Sequence, residues 1–362
     1  MKIKRAFSVF YCILFFGICL ALGLGAFFLS ADSVSEGRDL APFPALLVEG
    51  KPNTAFFTEF DAWLTDRFAG RQSFIVLNGA IRETVFKTGS NQVIVGEDGF
   101  LFYSETVADY TGENLLSDND AQAAADAVLA LSEYASSHGT KLILVIAPNK
   151  NTIYPDRMPL AYRSVQNTGK TNQDLLYEAL TQRGVLYADL RTVLTGEKPL
   201  LYHKRDTHWN SAGALAAYDE ILRVLDVPHE NYSSCALVES NDFPGDLDDM
   251  LFPGEGRTDS NFAPDFDFSQ TYIYTNAATS PMDMVIETKS LGSGSCLVFR
   301  DSFGSALIPY LSTTFETVRY ERAIPYRIDI LERTSFDYVI VEIAERNISQ
   351  LISAAERILK SE

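Results

Sequence analysis

The chain has 362 residues, a formal net charge of −18 and 46% hydrophobic residues, enough for one large domain or two smaller ones of ordinary globular make-up. That charge argues against a nucleic-acid binder, because phosphate backbones are gripped by clustered Lys and Arg. It also disfavours anionic lipid and polyanion partners, without identifying a substrate.

Lys2, Lys4 and Arg5 precede an uncharged, mostly apolar run from Ala6 to Leu29. As a helix this run spans about 30 Å of hydrocarbon. Basic residues before it, and Asp32, Glu36 and Asp39 after it, predict a single-pass membrane anchor over residues 1–30. They place the N-terminus in the cytoplasm and the rest outside. The rival is a cleaved signal peptide, whose apolar core is usually only ~7–15 residues; no good small-x-small site lies near Ser30. A lipoprotein signal at Cys19 is weaker still, since Phe16, Gly17 and Ile18 make a poor lipobox. Of the four cysteines, Cys12 and Cys19 fall in the anchor, and Cys235 and Cys296 in the ectodomain. An exported location permits a Cys235–Cys296 bridge without indicating one, and a buried thiol is the plainer reading of Cys296.

Residues 31–90 read as a helical, membrane-proximal segment packing on the main domain. Pro42, Pro44 and Pro52 mark a turn-rich start. Phe56, Phe57, Phe60, Trp63 and Leu64, then Phe74, Ile75, Leu77, Ile81 and Phe86, recur at helical spacing as packing residues. Residues 93–103 read as two short strands around Asp98-Gly99.

From residue 91 to 362 the main domain follows, and from about 117 its pattern is α/β. A helix is expected over 120–137 with Gly139 just beyond it, then a buried strand from Leu142 to Ala147. Further strands are expected at 185–190, 296–299, 315–320 and 338–343, with helical segments between the last three. Strands alternating with helices imply a largely parallel sheet covered on both faces. Residues 227–282, rich in Asp, Asn, Pro and Gly, read as an irregular insertion near the active site.

Two segments carry chemistry. Phe299-Arg300-Asp301-Ser302-Phe303-Gly304 places a serine where a buried strand ends and a helix begins. Ligands bind outside the carboxyl ends of parallel strands, and a helix start offers N–H groups to a developing oxyanion. The same segment also reads as a plain helix N-cap, Asp301 especially. The second segment, Asp206-Thr207-His208-Trp209-Asn210, separates an acid and an imidazole by two residues. In an extended backbone both point the same way, so Asp206 can orient His208 as a base. Asn210 or Ser211 is available to cap the following helix. Of the other histidines, His138 and His229 sit at a helix end and a turn, and His203 lacks an acidic neighbour at suitable spacing. A metal site is the rival use of Asp-x-His; it lacks a third ligand, no Cys/His cluster has zinc spacing, and no cofactor is implied.

Together with Asp301-Ser302-Phe303, the Asp206-Thr207-His208-Trp209-Asn210 motif resembles the SGNH-like domain of the alginate O-acetyltransferase AlgX/AlgJ group and the related bacterial DHHW proteins. Shorter matches extend the resemblance: Arg38 with Pro42 and Pro44, Asp66-Arg67-Phe68 with Arg71, residues 96–102, Pro148-Asn149-Lys150 with Tyr154-Pro155, Gly245-Asp246-Leu247 with Met250, and 338–340 through Glu342, Glu345 and Arg346. The resemblance implies a flavodoxin-like three-layer α/β/α SGNH-hydrolase-like domain with a triad permuted into the order Asp, His, Ser. Ser302 would be nucleophile, His208 base and Asp206 its orienter. Asn149 is a candidate oxyanion donor, with Lys150 beside it on the same sheet edge. Trp209 is a candidate for stacking on a sugar, or a packing residue. Two departures stand out: Arg300 replaces the family's usual Gly, and no carbohydrate-binding module follows the α/β pattern. The activity implied is acetyl transfer onto an extracytoplasmic polysaccharide, with acetyl delivered by a multi-pass membrane acyltransferase. An acetylesterase, or a non-catalytic glycan-binding or assembly protein with the same fold, remains an alternative.

Overall fold

The computed structural model describes residues 2–28, 39–195, 199–322 and 326–352. Ser30, Asp32, Glu36 and Arg38, and the chain beyond residue 352, lie outside them. The chain divides into two compact units, residues 1–90 with 248–257, and residues 91–247 with 258–362.

In the first unit, helix α1 (Lys2–Phe28) contains a 20-residue span, Val9–Phe28, of mean hydropathy 2.4. Among the described residues it is the one helix long and apolar enough to cross a membrane. Its C-terminal end packs on the helices that follow, α2 (Phe56–Arg67) and α3 (Arg71–Ile81). The Phe27 ring lies 4.9 Å from that of Trp63, and the Ala69 amide donates to the Leu22 carbonyl. The Asp66-Arg67 pair grips Ala41, with Asp66 accepting from its N–H and Arg67 donating to its C=O. This fixes the strip that carries Pro42 and Pro44. One expectation fails. Phe57, Phe74, Leu77, Ile81 and Phe86 are exposed rather than packed. Helical periodicity identifies an apolar stripe but not what covers it.

The second unit holds the α/β domain. A hairpin of β1 (Val93–Val95) and β2 (Leu101–Tyr103) turns through Asp98 and Gly99, both at positive φ. Next come α4 (Asp118–Ser137), β3 (Lys141–Ala147), α5 (Asn172–Arg183), β4 (Tyr187–Asp189) and α6 (Ser211–Leu225). The caps are those the residue types favour: the Ser117 hydroxyl accepts from Asp120 N–H, Thr171 forms a capping box with Asp174, and Asn210 accepts from Gly213 N–H.

Residues 227–282 are more ordered than their composition suggests. They contain an antiparallel pair, β5 (Leu237–Pro244) and β6 (Thr258–Pro264), and a further strand, β7 (Tyr272–Tyr274). The domain closes with β8 (Val285–Ser290), β9 (Ser295–Phe299), α7 (Ile308–Thr314), β10 (Thr317–Glu321) and β11 (Tyr338–Ala344).

Seven strands form the central sheet in the order β4-β3-β11-β9-β10-β8-β7. The first five are parallel; β8 and β7 add an antiparallel edge. The sheet is therefore mixed, because the chain returns through β7 and β8 before entering β9. Strand alternation feeds two cores. Ile143, Val145, Val298 and Ile340 face α6 and α7. Leu142, Leu144, Ile146, Leu297 and Val339 face α4 and α5. The result is a three-layer α/β/α domain, in which each fully buried Leu or Ile contributes about 1.5–3 kcal/mol. Cys235 and Cys296 are free thiols. The register pairs Ala147 with Ala344 and Val341 with Phe299. The carboxyl ends of β3, β11 and β9 thus bring Asn149, Glu345 and Ser302 to one edge of the sheet.

Candidate active site

Ser302 follows β9 directly and begins a short helical turn, Phe303–Leu307. Its side chain makes no cap hydrogen bond. The capping role falls to Asp301, whose carboxylate accepts from Phe303 N–H at 2.9 Å and from Ala344 N–H at 2.7 Å. Ser302 Oγ instead lies 2.8 Å from His208 Nε2. His208 Nδ1 lies 2.8 Å from Asp206 Oδ1. In the tautomer this carboxylate selects, Nδ1–H donates to Asp206 and Nε2 accepts from the serine hydroxyl.

The Asp206–His208 pair is not held by strand alternation. Residues 204–208 form a bend, and Asp206 Oδ1 also accepts the His208 backbone N–H at 2.8 Å. A short side chain capping its own backbone two residues on makes this turn, as Asp readily does. The second carboxylate oxygen accepts from Asp246 N–H at 2.8 Å. Asp206 is 3% exposed. Burial works against its charge, yet the bonds from His208 and Asp246 hold its carboxyl well below the usual range. For His208, burial lowers basicity, but the Asp206 carboxylate outweighs it and raises the imidazole above its ordinary 6.5.

Lys150 is buried, not presented at the surface. Its ammonium donates to the carbonyls of His203, Lys204 and Asp206 at 3.1, 3.0 and 2.5 Å. It pins the loop that carries Asp206 and His208, and burial pulls it down to about 8. Trp209 corrects the sugar-stacking reading: its ring is 1% exposed and its Nε1–H donates to the Phe303 carbonyl at 3.1 Å. It ties the Asp206–His208 segment to the Ser302 turn as a packing residue. Asn149 is 1% exposed; its N–H donates to Glu345 and its side-chain amide to Asp109 at 3.1 Å.

The turn offers fewer oxyanion donors than a helix start suggests. Phe303 N–H is taken by Asp301, and Gly304 N–H by Glu342 Oε2 at 3.1 Å. The N–H of Ser302 itself has no acceptor among the described residues. Glu342 is a finding the strand pattern partly signals, since an acid interrupts the apolar run of β11. It is fully buried, accepts from both Asp301 and Gly304 N–H, and burial with Asp301 nearby raises it well above the ordinary range. Gly304 must be glycine here: a Cβ would sit 2.6 Å from Arg300 Cβ and 2.8 Å from Glu342 Oε2. Arg300, 3% exposed, donates to the Asp301 carbonyl at 3.2 Å. It donates to Ser305 Oγ and to the carbonyls of Pro281 and Asp283, tying down the neighbouring loop.

Asp246 supplies the third acid that Asp-x-His lacks in sequence; ligand atoms of Asp206, His208 and Asp246 lie within 4.8 Å of one another. Asp206 Oδ1, however, already accepts twice from His208 and Oδ2 once from Asp246, leaving about one of its four lone-pair sites open to a cation. A surface cavity of about 940 Å³ lies at the opposite end of the sheet, lined by Lys289, Ser290 and Gly292 before β9 and by Tyr272.

These features have relatives. The chain is 28% identical over 254 residues to "Probable alginate O-acetylase AlgJ" of Pseudomonas aeruginosa, an alignment covering 68% of this chain and 60% of that protein. The chain therefore spans well under two thirds of that relative. A DHHW family protein from Eubacterium siraeum has a TM-score of 0.54 at 16% identity, over 73% of this chain and 95% of its own. Bacillus cereus PatB1 with a sulfonyl adduct has a TM-score of 0.53 at 13% identity, over 72% of this chain and 98% of its own. These likenesses show the fold. Residues 93–289 match the family model of the SGNH hydrolase-like domain of the acetyltransferase AlgX, which covers the acid–base segment and stops short of Ser302. More than half of the chain lies within that match, and the chain belongs to the AlgX-type SGNH hydrolase-like family.

Proposed function

We propose that this protein is a membrane-anchored, extracytoplasmic O-acetyltransferase acting on a cell-surface or secreted polysaccharide through Ser302, His208 and Asp206. The observation that carries this reading is the unbroken chain of two 2.8 Å contacts from Asp206 through His208 to Ser302 Oγ. It has the geometry that activates a weak oxygen nucleophile. Ser302 Oγ attacks the acetyl carbonyl while His208 Nε2 takes its proton. The imidazolium is held by Asp206. Ser302 N–H stabilises the tetrahedral oxyanion, whereas the buried Asn149 is already engaged by Glu345 and Asp109. Collapse expels the donor's alkoxide, which takes the proton from His208 and leaves acetyl-Ser302. A sugar hydroxyl then gives its proton to His208 and attacks the ester carbonyl; Ser302 departs and is reprotonated. A multi-pass membrane acyltransferase supplying the acetyl group fits an anchor formed by α1. Family membership and the likeness to an alginate O-acetylase support a polysaccharide acceptor.

The test is Ser302→Ala and His208→Ala against wild type on an activated acetyl ester, with a sulfonyl fluoride as the serine probe. Loss of turnover and of labelling in both variants supports the reading; equal rates in all three proteins refute it. The partition between acetylated glycan and free acetate separates transfer from ester hydrolysis.

A further inference from the structure

Asp246 lies in the segment whose composition reads as irregular, and the proposed triad does not include it. Yet it makes a reciprocal clamp on the acid–base turn. Its N–H donates to Asp206 Oδ2 at 2.8 Å, and its own Oδ1 accepts from Thr207 N–H at 2.7 Å. Gly245 makes this docking possible, because any side chain there would collide with the Arg205 carbonyl. The second Asp246 oxygen, Oδ2, lies 3.8 Å from His208 Nδ1. The imidazole therefore meets two carboxylates on its Nδ1 side.

We propose that Asp246 is a positioning residue of this site, which fixes the Asp206–Thr207 turn and holds a second negative charge against the His208 imidazolium formed during proton transfer. The inference rests on the reading of His208 as the base. The groups around the ring define what the second charge does. Asp206 and Asp246 face Nδ1, Ser302 faces Nε2, and Phe303 covers one ring face at 4.7 Å. Beyond Phe303, Arg346 lies 5.7 Å from that ring and opposes the imidazolium; Tyr103, whose ring Arg346 also covers, is influenced by Asp246. Burial and the Asp206 charge raise the Asp246 carboxyl itself. Protonating His208 therefore favours the ionised form of the acids beside it.

The sign follows. A nearby anion favours imidazolium, so removing it makes His208 a weaker base that stays neutral to lower pH. Asp246→Asn keeps an oxygen to accept from Thr207 and leaves the backbone N–H to Asp206 intact, deleting only the charge. Its expected effects are an acid limb of Ser302 acylation moved down by about one pH unit and a plateau rate lower by about tenfold. Asp246→Glu, which keeps the charge, restores the limb. The assay is acylation by 4-nitrophenyl acetate from about pH 5 to about pH 9. It is paired with NMR titration of the His208 ring, one of four histidines. If Asp246→Asn lowers thermal stability but leaves both the limb and the ring titration unmoved, Asp246 is structural only and the proposal fails. It also fails if chelation abolishes wild-type acylation and a divalent metal restores it. Ester turnover that Ser302→Ala leaves unchanged would instead overturn the function on which the inference rests.

Discussion

Lys150→Met replaces a buried ammonium with an apolar side chain of similar length. Of the three carbonyls it serves, Lys204 O keeps another donor in Leu101 N–H at 2.8 Å, whereas His203 O and Asp206 O lose the donor that binds them. Two orphaned acceptors cost about 1–3 kcal/mol each. Against this stands the cost of keeping Lys150 charged. An ammonium that titrates at about 8 rather than 10.5 is disfavoured by about 3 kcal/mol. The net change near neutral pH is therefore small, between about −1 and about +3 kcal/mol. Because the folded protein releases this proton before the unfolded chain does, Lys150 makes wild-type stability rise between about pH 8 and about pH 10.5. Urea unfolding should show that rise in wild type and its loss in Lys150→Met. Acylation of Ser302 should fall at least about tenfold, since the carbonyl of Asp206 itself is released. Equal acylation rates, together with parallel stability–pH curves, would refute the view that this lysine holds the acid–base turn.

Other substitutions probe the turn from different sides. Gly304→Ala forces a Cβ against Arg300 and Glu342; urea unfolding should show a loss of about 1–3 kcal/mol, and acylation a fall of about a hundredfold. Glu342→Gln keeps an acceptor for Asp301 and Gly304 N–H at a carboxyl that burial and Asp301 push well upward, so it should cost under about 1.5 kcal/mol, whereas Glu342→Ala should cost about 2–5 kcal/mol. Trp209→Phe removes the donor to Phe303 O and should cost about 1–3 kcal/mol by the same unfolding assay, with glycan affinity in calorimetry unchanged within about twofold.

The sequence and the fold agree where one physical cause acts alone. The run Leu142–Ala147 is apolar throughout because β3 is covered on both faces, and Asn210 caps α6 because its side chain reaches Gly213. The proposed triad is legible for a different reason: an acid two residues from an imidazole gives a serine at a strand end, which alone reads equally as a helix cap, a base to work with. Their mechanism of alignment is not legible, since Asp206 and His208 meet through a bend rather than an extended strand. The roles of Lys150, Trp209 and Asn149 are hidden because loop residues show no period, and only the tertiary fold places a buried ammonium over three carbonyls. Asp246 and Glu342 illustrate the same limit. One comes from a segment that looks irregular; the other reads as a polar break in a strand. Each acts through backbone N–H groups that no side-chain pattern records. The exposed Phe74, Leu77 and Ile81 fail the expectation of packing because periodicity cannot supply a partner surface.

The central claim is that Ser302 becomes acylated with His208 as its base. Wild-type protein should be incubated with an activated acetyl ester and the acetylated residue mapped by peptide mass spectrometry across pH. The account predicts acetyl on Ser302, absent in His208→Ala. Its formation should fall as pH drops through a value above the imidazole's ordinary 6.5, because Asp206 raises His208. Acetate release without a Ser302 adduct, at a rate that Ser302→Ala leaves unchanged, would contradict it.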